Sequence, residues 1–215
     1  MLHELIRTWF GWVEHWGYAG VFLLMALESS IVPVPSEIVI PPAAFWASQG
    51  RMNFGGVILA GTLGSYLGSV VSYFVSRAVG QPMIKRYSKC FLMSDEKITS
   101  AKSWVEKFGA LGIFVSRLLP VVRHLISIPA GILEMSFAKF SAATLAGAAV
   151  WCSVLAWFGE KVIGSNPELL ESPEAMMSVM KAKLHWLVAA ALIFALLYAL
   201  VQSALTGARK KTLKA

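Results

Sequence analysis

Apolar and polar positions over residues 4–16 separate onto two sides of a helix. Leu5, Ile6, Trp9, Phe10, Trp12, Val13 and Trp16 share one face, and Glu4, Arg7, Thr8, Gly11, Glu14 and His15 the other. This pattern predicts a helix lying in a membrane interface. The next stretch, "YAGVFLLMALESSIVPVPSEIVIPPAAFWAS", has two apolar arms around a polar, proline-rich centre. An arm of about eleven residues reaches only ~16 Å at ~1.5 Å per residue, roughly half the hydrocarbon thickness. The expected element is therefore a re-entrant helical hairpin with its tip near the midplane. Residues 54–79 are long enough to span, and Gly61, Gly64, Ser65, Gly68, Ser69, Ser72 and Ser76 form a small-residue stripe for close helix packing.

The order then repeats. "WVEHWGYAGVF" at 12–22 returns as "WVEKFGALGIF" at 104–114, pairing Trp12 with Trp104, Glu14 with Glu106, Gly17 with Gly109, Gly20 with Gly112 and Phe22 with Phe114. An internal repeat outranks other fold signals. The second copy opens on the amphipathic "SDEKITSAKSWVEKF", with Ser94 or Asp95 as N-cap. It continues into "GALGIFVSRLLPVVRHLISIPAGIL", again two short arms around a charged, proline-bearing centre, and ends in a span over 137–158. Each unit of interfacial helix, re-entrant hairpin and spanning helix crosses the membrane an odd number of times, so the two copies must be inverted. Inverted repeats with broken helices are an architecture of alternating-access transporters. The predicted fold is thus an all-α integral membrane protein forming a single membrane domain over 1–215. Repeat one covers about 4–80, repeat two about 94–164, an unrepeated C-terminal spanning helix about 184–205, and a basic tail 206–215.

Composition agrees with this pattern. The chain is 57% hydrophobic and 14% charged, with a mean hydropathy of +0.65, more apolar than soluble domains. Its net charge of +7 lies in one loop and the tail rather than in a patch interleaved with aromatics, which excludes nucleic acid as the partner. No basic region precedes the first apolar run, so the N-terminus does not read as a cleaved signal peptide. Cys90 and Cys152 offer no metal-ligand spacing, and neither a metal nor another cofactor is expected. The loop from 80 to 107 and the tail are basic, whereas "GSNPELLESPEA" carries only acids. The positive-inside rule therefore puts the basic loop and the C-terminus in the cytoplasm.

Four charges fall in or beside the hairpin centres: Glu28 and Glu37 in the first, Arg117 and Arg123 in the second. Each would cost roughly 2.5 to 3.5 kcal/mol at a bilayer centre, so they are expected to face one another or water. Pro33, Pro35 and Pro120 break the helices there. Ser29, Ser30, Ser36 and Ser116 are available to the freed backbone groups. Such charges can act as structural ion pairs that lock the hairpins. They can also form a site, because two arginines make a bidentate receptor for phosphate or carboxylate. Glu28 and Glu37 would then compete with the anion, and their protonation would release the arginines. His124 beside Arg123 is a candidate proton shuttle or a hairpin-tip support. Gly64-x-x-x-Gly68 suits either a homodimer face or packing between the repeats. Trp and Tyr residues near segment ends read as interfacial anchors.

Glu28, "PVPSEIVIPPAA", "GSYLGSVVSYFVSRAVG", "SRLLPVVR" and "IPAG" followed by "MSFAKF" together resemble the DedA family of bacterial membrane proteins, also called the VTT or SNARE-associated Golgi protein group. The resemblance covers nearly all of the chain before the last helix. It implies a lipid transporter of the bacterial inner membrane with two facing re-entrant loops, dependent on the proton-motive force. Glu28, Glu37, Arg117 and Arg123 match the acidic and arginine positions the family needs, and "PSEIVI" is most similar to the undecaprenyl phosphate subgroup. There are departures: Ser69 stands where many relatives carry an acid, Ser76 replaces a glycine, and "PPAA" stands where relatives often read "PAG".

The expected function is a proton-motive-force-dependent flippase returning undecaprenyl phosphate or a similar anionic lipid phosphate to the cytoplasmic leaflet. Two arginines balance a monoester, at about −1.5 to −2, better than a singly charged diester. The alternatives are a small-anion or proton-coupled ion transporter and a structural assembly factor. A lipid phosphatase is disfavoured, because "SRLLPVVRH" lacks the companion motifs that such catalysis needs. Reporter fusions after Ala175 and after Ala215 test the topology: they are expected to report opposite compartments, with Ala215 inside. A common compartment would remove the argument for inversion.

Overall fold

The computed structural model describes residues 2–30, 35–87, 109–119, 122–165 and 179. The expected second interfacial helix, most of the basic loop, the 166–175 stretch, the expected C-terminal helix and tail, and Pro33 and Pro120 lie outside them. Among the described residues every regular element is helical. They are α1 (Leu2–Trp16), α2 (Tyr18–Glu28), α3 (Ser36–Ser48), α4 (Phe54–Tyr87), α5 (109–117), α6 (Val122–Leu125), α7 (Ser127–Ile132) and α8 (Phe137–Phe158), the last running into a π-helical turn at Gly159–Ile163. Among the described residues two helices are long and apolar enough to cross a membrane, within Phe54–Gly80 and Phe137–Lys161. The exposed side of α4 carries Leu59, Leu63, Leu67, Val71, Val75 and Val79 at helical spacing, the face a surrounding hydrocarbon would meet.

The text that occurs twice has a physical reason in its first copy. Gly17 takes φ +52, a left-handed conformation that costs glycine little, and this turns the chain from α1 into α2. Gly20 then brings α2 against α1, where a Cβ would lie 2.4 Å from the Trp12 carbonyl oxygen. Val13 is buried at this contact, while Trp12 and Trp16 stack outside with ring centroids 5.8 Å apart.

The small-residue stripe of α4 does bring helices close, but its main partner is α2 of the same copy. Neither a second molecule nor the other repeat, the two partners the Gly64-x-x-x-Gly68 spacing suits, is what Gly64 and Gly68 meet among the described residues. A Cβ on Gly64 would lie 2.2 Å from the Phe22 carbonyl oxygen, and one on Gly68 2.1 Å from that of Ala26. Tyr18–Glu28 offers almost bare backbone here, so two helices meet at backbone distance. Farther along α4, α7 docks in the same manner, with Gly131 against the Tyr73 carbonyl. The Tyr73 hydroxyl donates to the Met135 carbonyl at 2.5 Å. On a third side, the Tyr66 hydroxyl donates to Ser141 of α8 at 2.9 Å.

The expected second arm after Pro120 is divided into α6 and α7. Pro129 has no N–H to give the Leu125 carbonyl, so the helix breaks at Ile126. A left-handed Glu134, φ 55, then turns the chain toward α8.

Gly68→Ala is expected to lower the thermal stability of the purified protein, because the added methyl meets backbone rather than a movable side chain; a cost of ~1–3 kcal/mol is typical of overpacking. Gly11→Ala, where nothing lies within 4 Å, should melt at or above the wild-type temperature. Equal melting of the two variants would refute the backbone contact.

Candidate functional site

α2 ends at Glu28 and α3 begins at Ser36, so the end of one short helix faces the start of the next. The first N–H groups of a helix lack intrahelical acceptors and favour a negative charge nearby. Glu28 supplies both, its Oε1 accepting the Ser36 N–H at 2.6 Å. Behind this contact α4 satisfies the backbone that turns away from α2. The Ser72 hydroxyl reaches the carbonyl oxygens of Ser29 and Ser30 at 3.1 and 3.2 Å, and Ser29 and Ser65 share a hydroxyl bond of 2.8 Å.

Arg123, on α6, enters from the other segment. Its Nη2 donates to Glu28 Oε1, forming an ion pair whose side chains are 5% and 0% exposed. The same nitrogen donates to the Ser36 hydroxyl at 2.5 Å. Trp151, from the interior of α8, places its ring 5.1 Å from the guanidinium carbon and donates its indole N–H to Ser36 at 3.2 Å. Four elements thus meet around one buried ion pair.

Arg117, the last helical residue of α5, is buried beside this cluster, and among the described residues its bonds go to neutral acceptors: the Arg123 carbonyl at 3.0 Å and the Ser127 hydroxyl at 2.8 Å. Its stem lies against Gly147 of α8, where a Cβ would come within 2.6 Å. The Nε groups of both arginines and Glu28 Oε2 are buried without a hydrogen-bond partner among the described residues. Among the described residues the cluster thus buries two guanidinium groups and one carboxylate, which Arg123 pairs.

The candidates separate accordingly. Glu28, Ser36, Arg117 and Arg123 come together. Glu37 is half-buried and has no ion-pair partner among the described residues. Half-buried His124 lies next to the Glu28 backbone, Pro35 stands at the start of α3, and the Ser116 carbonyl accepts the Leu119 N–H at 3.2 Å. Sequence reasoning missed Trp151 and Ser127. For Trp151 a signal existed: it sits well inside its span, whereas anchoring tryptophans sit at span ends. Ser127 gave none. No group of three or more His, Cys, Asp or Glu suited to a metal ion occurs among the described residues.

The described elements are all helical, two of them are candidate spans, and a cluster of two arginines and one glutamate is buried among them; ionisable residues of membrane helices face a bundle interior in this way. Residues 34–161 match the VTT domain model, and the chain belongs to this family of membrane proteins, also known as DedA. It is 35% identical over 156 residues to undecaprenyl phosphate transporter A of Bacillus subtilis (strain 168), covering 73% of this chain and 77% of that one. It is 29% identical to undecaprenyl phosphate transporter A of Staphylococcus aureus (strain NCTC 8325 / PS 47), over 65% of this chain and 70% of the relative. An alkaline phosphatase-like protein of Lactococcus lactis subsp. lactis (strain IL1403) is 34% identical, over 74% and 76% respectively. No solved structure matches.

Removing one partner of a buried pair strands the other charge, at a cost of about 3–5 kcal/mol. Arg123→Ala is accordingly expected to lower thermal stability sharply. The double variant Glu28→Ala, Arg123→Ala should recover part of the loss. Strict additivity of the two single changes, measured by melting, would mean that the pair is not coupled.

Proposed function

We propose that the protein is a proton-driven transporter carrying an anionic lipid phosphate, undecaprenyl phosphate or a close relative, from the outer to the cytoplasmic leaflet of a bacterial inner membrane. The observation that carries this reading is the charge balance of the buried cluster. Among the described residues Arg123 pairs with Glu28 while Arg117, buried beside it, bonds a carbonyl and a hydroxyl, so once Glu28 is protonated the two arginines are balanced by a dianionic headgroup. The unpartnered Nε–H groups are part of the fork that grips a phosphate through two parallel hydrogen bonds. Glu28 holds Arg123 until it takes up a proton, and the phosphate then takes its place. Half-buried Glu37, next to Ser36, is the second proton-coupling group.

In this reading α2–α3 and α5–α7 are re-entrant hairpins of inverted repeats, entering from opposite sides, with the C-terminus in the cytoplasm. Their short helices support it, because ~16 Å cannot cross the hydrocarbon core. The printed names of the Bacillus and Staphylococcus relatives support the substrate class. The Lactococcus relative's name makes phosphate release a necessary control.

The test is transport of labelled lipid phosphates into proteoliposomes under an imposed proton gradient, with inorganic phosphate flux and phosphate release measured in parallel. Glu28→Gln is expected to remain in the membrane and to lose the response to the gradient. Arg117→Lys and Arg123→Lys should each lose most transport despite preserving charge, and bind a monoester more weakly relative to a diester lipid. Wild-type affinity in both lysine variants, or a melting loss that accounts for all lost activity, would reduce the arginines to architecture.

A further inference from the structure

At the open end of the α2–α3 pair, away from Glu28, two glycine turns lie side by side. Gly17 joins α1 to α2 at φ +52, and Gly50 follows α3 at φ +77; a Cβ on Gly17 would sit 4.0 Å from the Met52 side chain. The turn at Gly50 sends its own N–H to the Ala47 carbonyl and the Arg51 N–H to the Trp46 carbonyl, both at 3.0 Å, a left-handed cap that satisfies the end of α3. Opposite, the Asn53 N–H donates to the Tyr18 hydroxyl at 2.5 Å, tying the start of α2 to the residue before α4. Two clefts open here, and both are walled by Trp46 and Arg51. One, of about 310 Å³, also meets Glu14, His15, Trp16 and Met52; the other, of about 540 Å³, also meets Phe45 and Gln49. The cap thus brings a guanidinium and an indole to one place.

The cation there is held loosely. Arg51 Nη1 lies 3.6 Å from Glu14 Oε1, and the two side chains are 66% and 52% exposed. That separation exceeds a hydrogen bond, and solvated pairs of this kind contribute little. A phosphate monoester carries about −1.5 to −2 and three acceptor oxygens, so it can form with Arg51 the two parallel hydrogen bonds that Glu14 at 3.6 Å does not. Phe45 and Trp46 add apolar surface beside the charge, so the ligand that fits has an anionic end and an apolar chain. We propose that Arg51, with Trp46 and Gln49, forms a second binding site, for the phosphate head of an amphiphile that displaces Glu14. The eleven residues of α2 set it about 16 Å from Glu28, apart from the buried cluster. The proposal deepens the transport reading above and rests on it for direction: with the first hairpin entering from outside, an outer-leaflet headgroup is collected here before it reaches Arg117 and Arg123.

The experiment uses the full chain in nanodiscs and a diazirine-bearing dodecyl phosphate, the crosslinked peptides being mapped by mass spectrometry. Labelling is expected within 45–52. Arg51→Gln should weaken it about tenfold, the loss of a charge-assisted hydrogen bond. Glu14→Gln should strengthen it, an opposite sign that damage to the fold does not produce. Inorganic phosphate should compete only at far higher concentration than unlabelled dodecyl phosphate; equal competition would make this a site for the free anion and overturns the proposal. Labelling of 45–52 that ignores both substitutions overturns it as well. In proteoliposomes the effect of Arg51→Gln on lipid phosphate transport should fall on KM rather than kcat, and an unchanged KM removes the collecting role. If Arg51-dependent labelling appears while the wild type carries no lipid phosphate, the site stands and the transport reading falls.

Discussion

The structure depends on one carboxylate kept out of water. A buried charge is tolerated only when paired and hydrogen-bonded, and Glu28 meets that condition with groups from three other places in the chain. The N–H that starts α3 closes the turn from α2, Arg123 ties in the second segment, and Trp151 ties in α8 through Ser36. Taken singly each is a modest bond. Together they make the relative placement of four helices a condition for keeping one negative charge stable.

That arrangement explains a division of labour along the chain. Apolar contacts around Leu24, Ile38, Val39 and Leu155 fill the first core and those around Tyr73 and Phe140 the second. Apolar packing is the less directional contribution, because hydrophobic side chains of similar volume exchange with little loss. The polar cluster is directional, since its ion pair and hydrogen bonds each need a set geometry. Arg117 differs from Arg123 in this respect. Its bonds to a carbonyl and a hydroxyl hold its position without neutralising its charge, which keeps a full positive charge available in a dry environment.

Much of this was legible in the residues. Four charges beside two proline-bearing centres in an apolar chain had to find partners, and Glu28 and Arg123 did. The short helices, the helix over Leu2–Trp16 and the two candidate spans among the described residues followed from hydrophobic length and period. What escaped was whatever depended on side-chain direction across helices. Nothing in "LISIPAG" marks Ser127 as the seat of Arg117, and the stripe from Gly61 to Ser72 announces close packing without saying against which helix. The split of the second arm at Ile126 was available in Pro129. It was hidden because the apolar run continues unbroken across it.

The length of α4 gives the stripe a further meaning. α2 rests on it at Gly64 and Gly68, and α7 at Tyr73 and Ser76, both at backbone distance. The helix therefore works as a ruler, and the offset between Glu28 and Arg123 is measured in helical steps of ~1.5 Å and about 100°. A single residue added between Gly68 and Tyr73 would turn one dock away from the other without touching either charge. In a chain this short, the number of residues in one helix is as much a part of the site as the side chains that fill it.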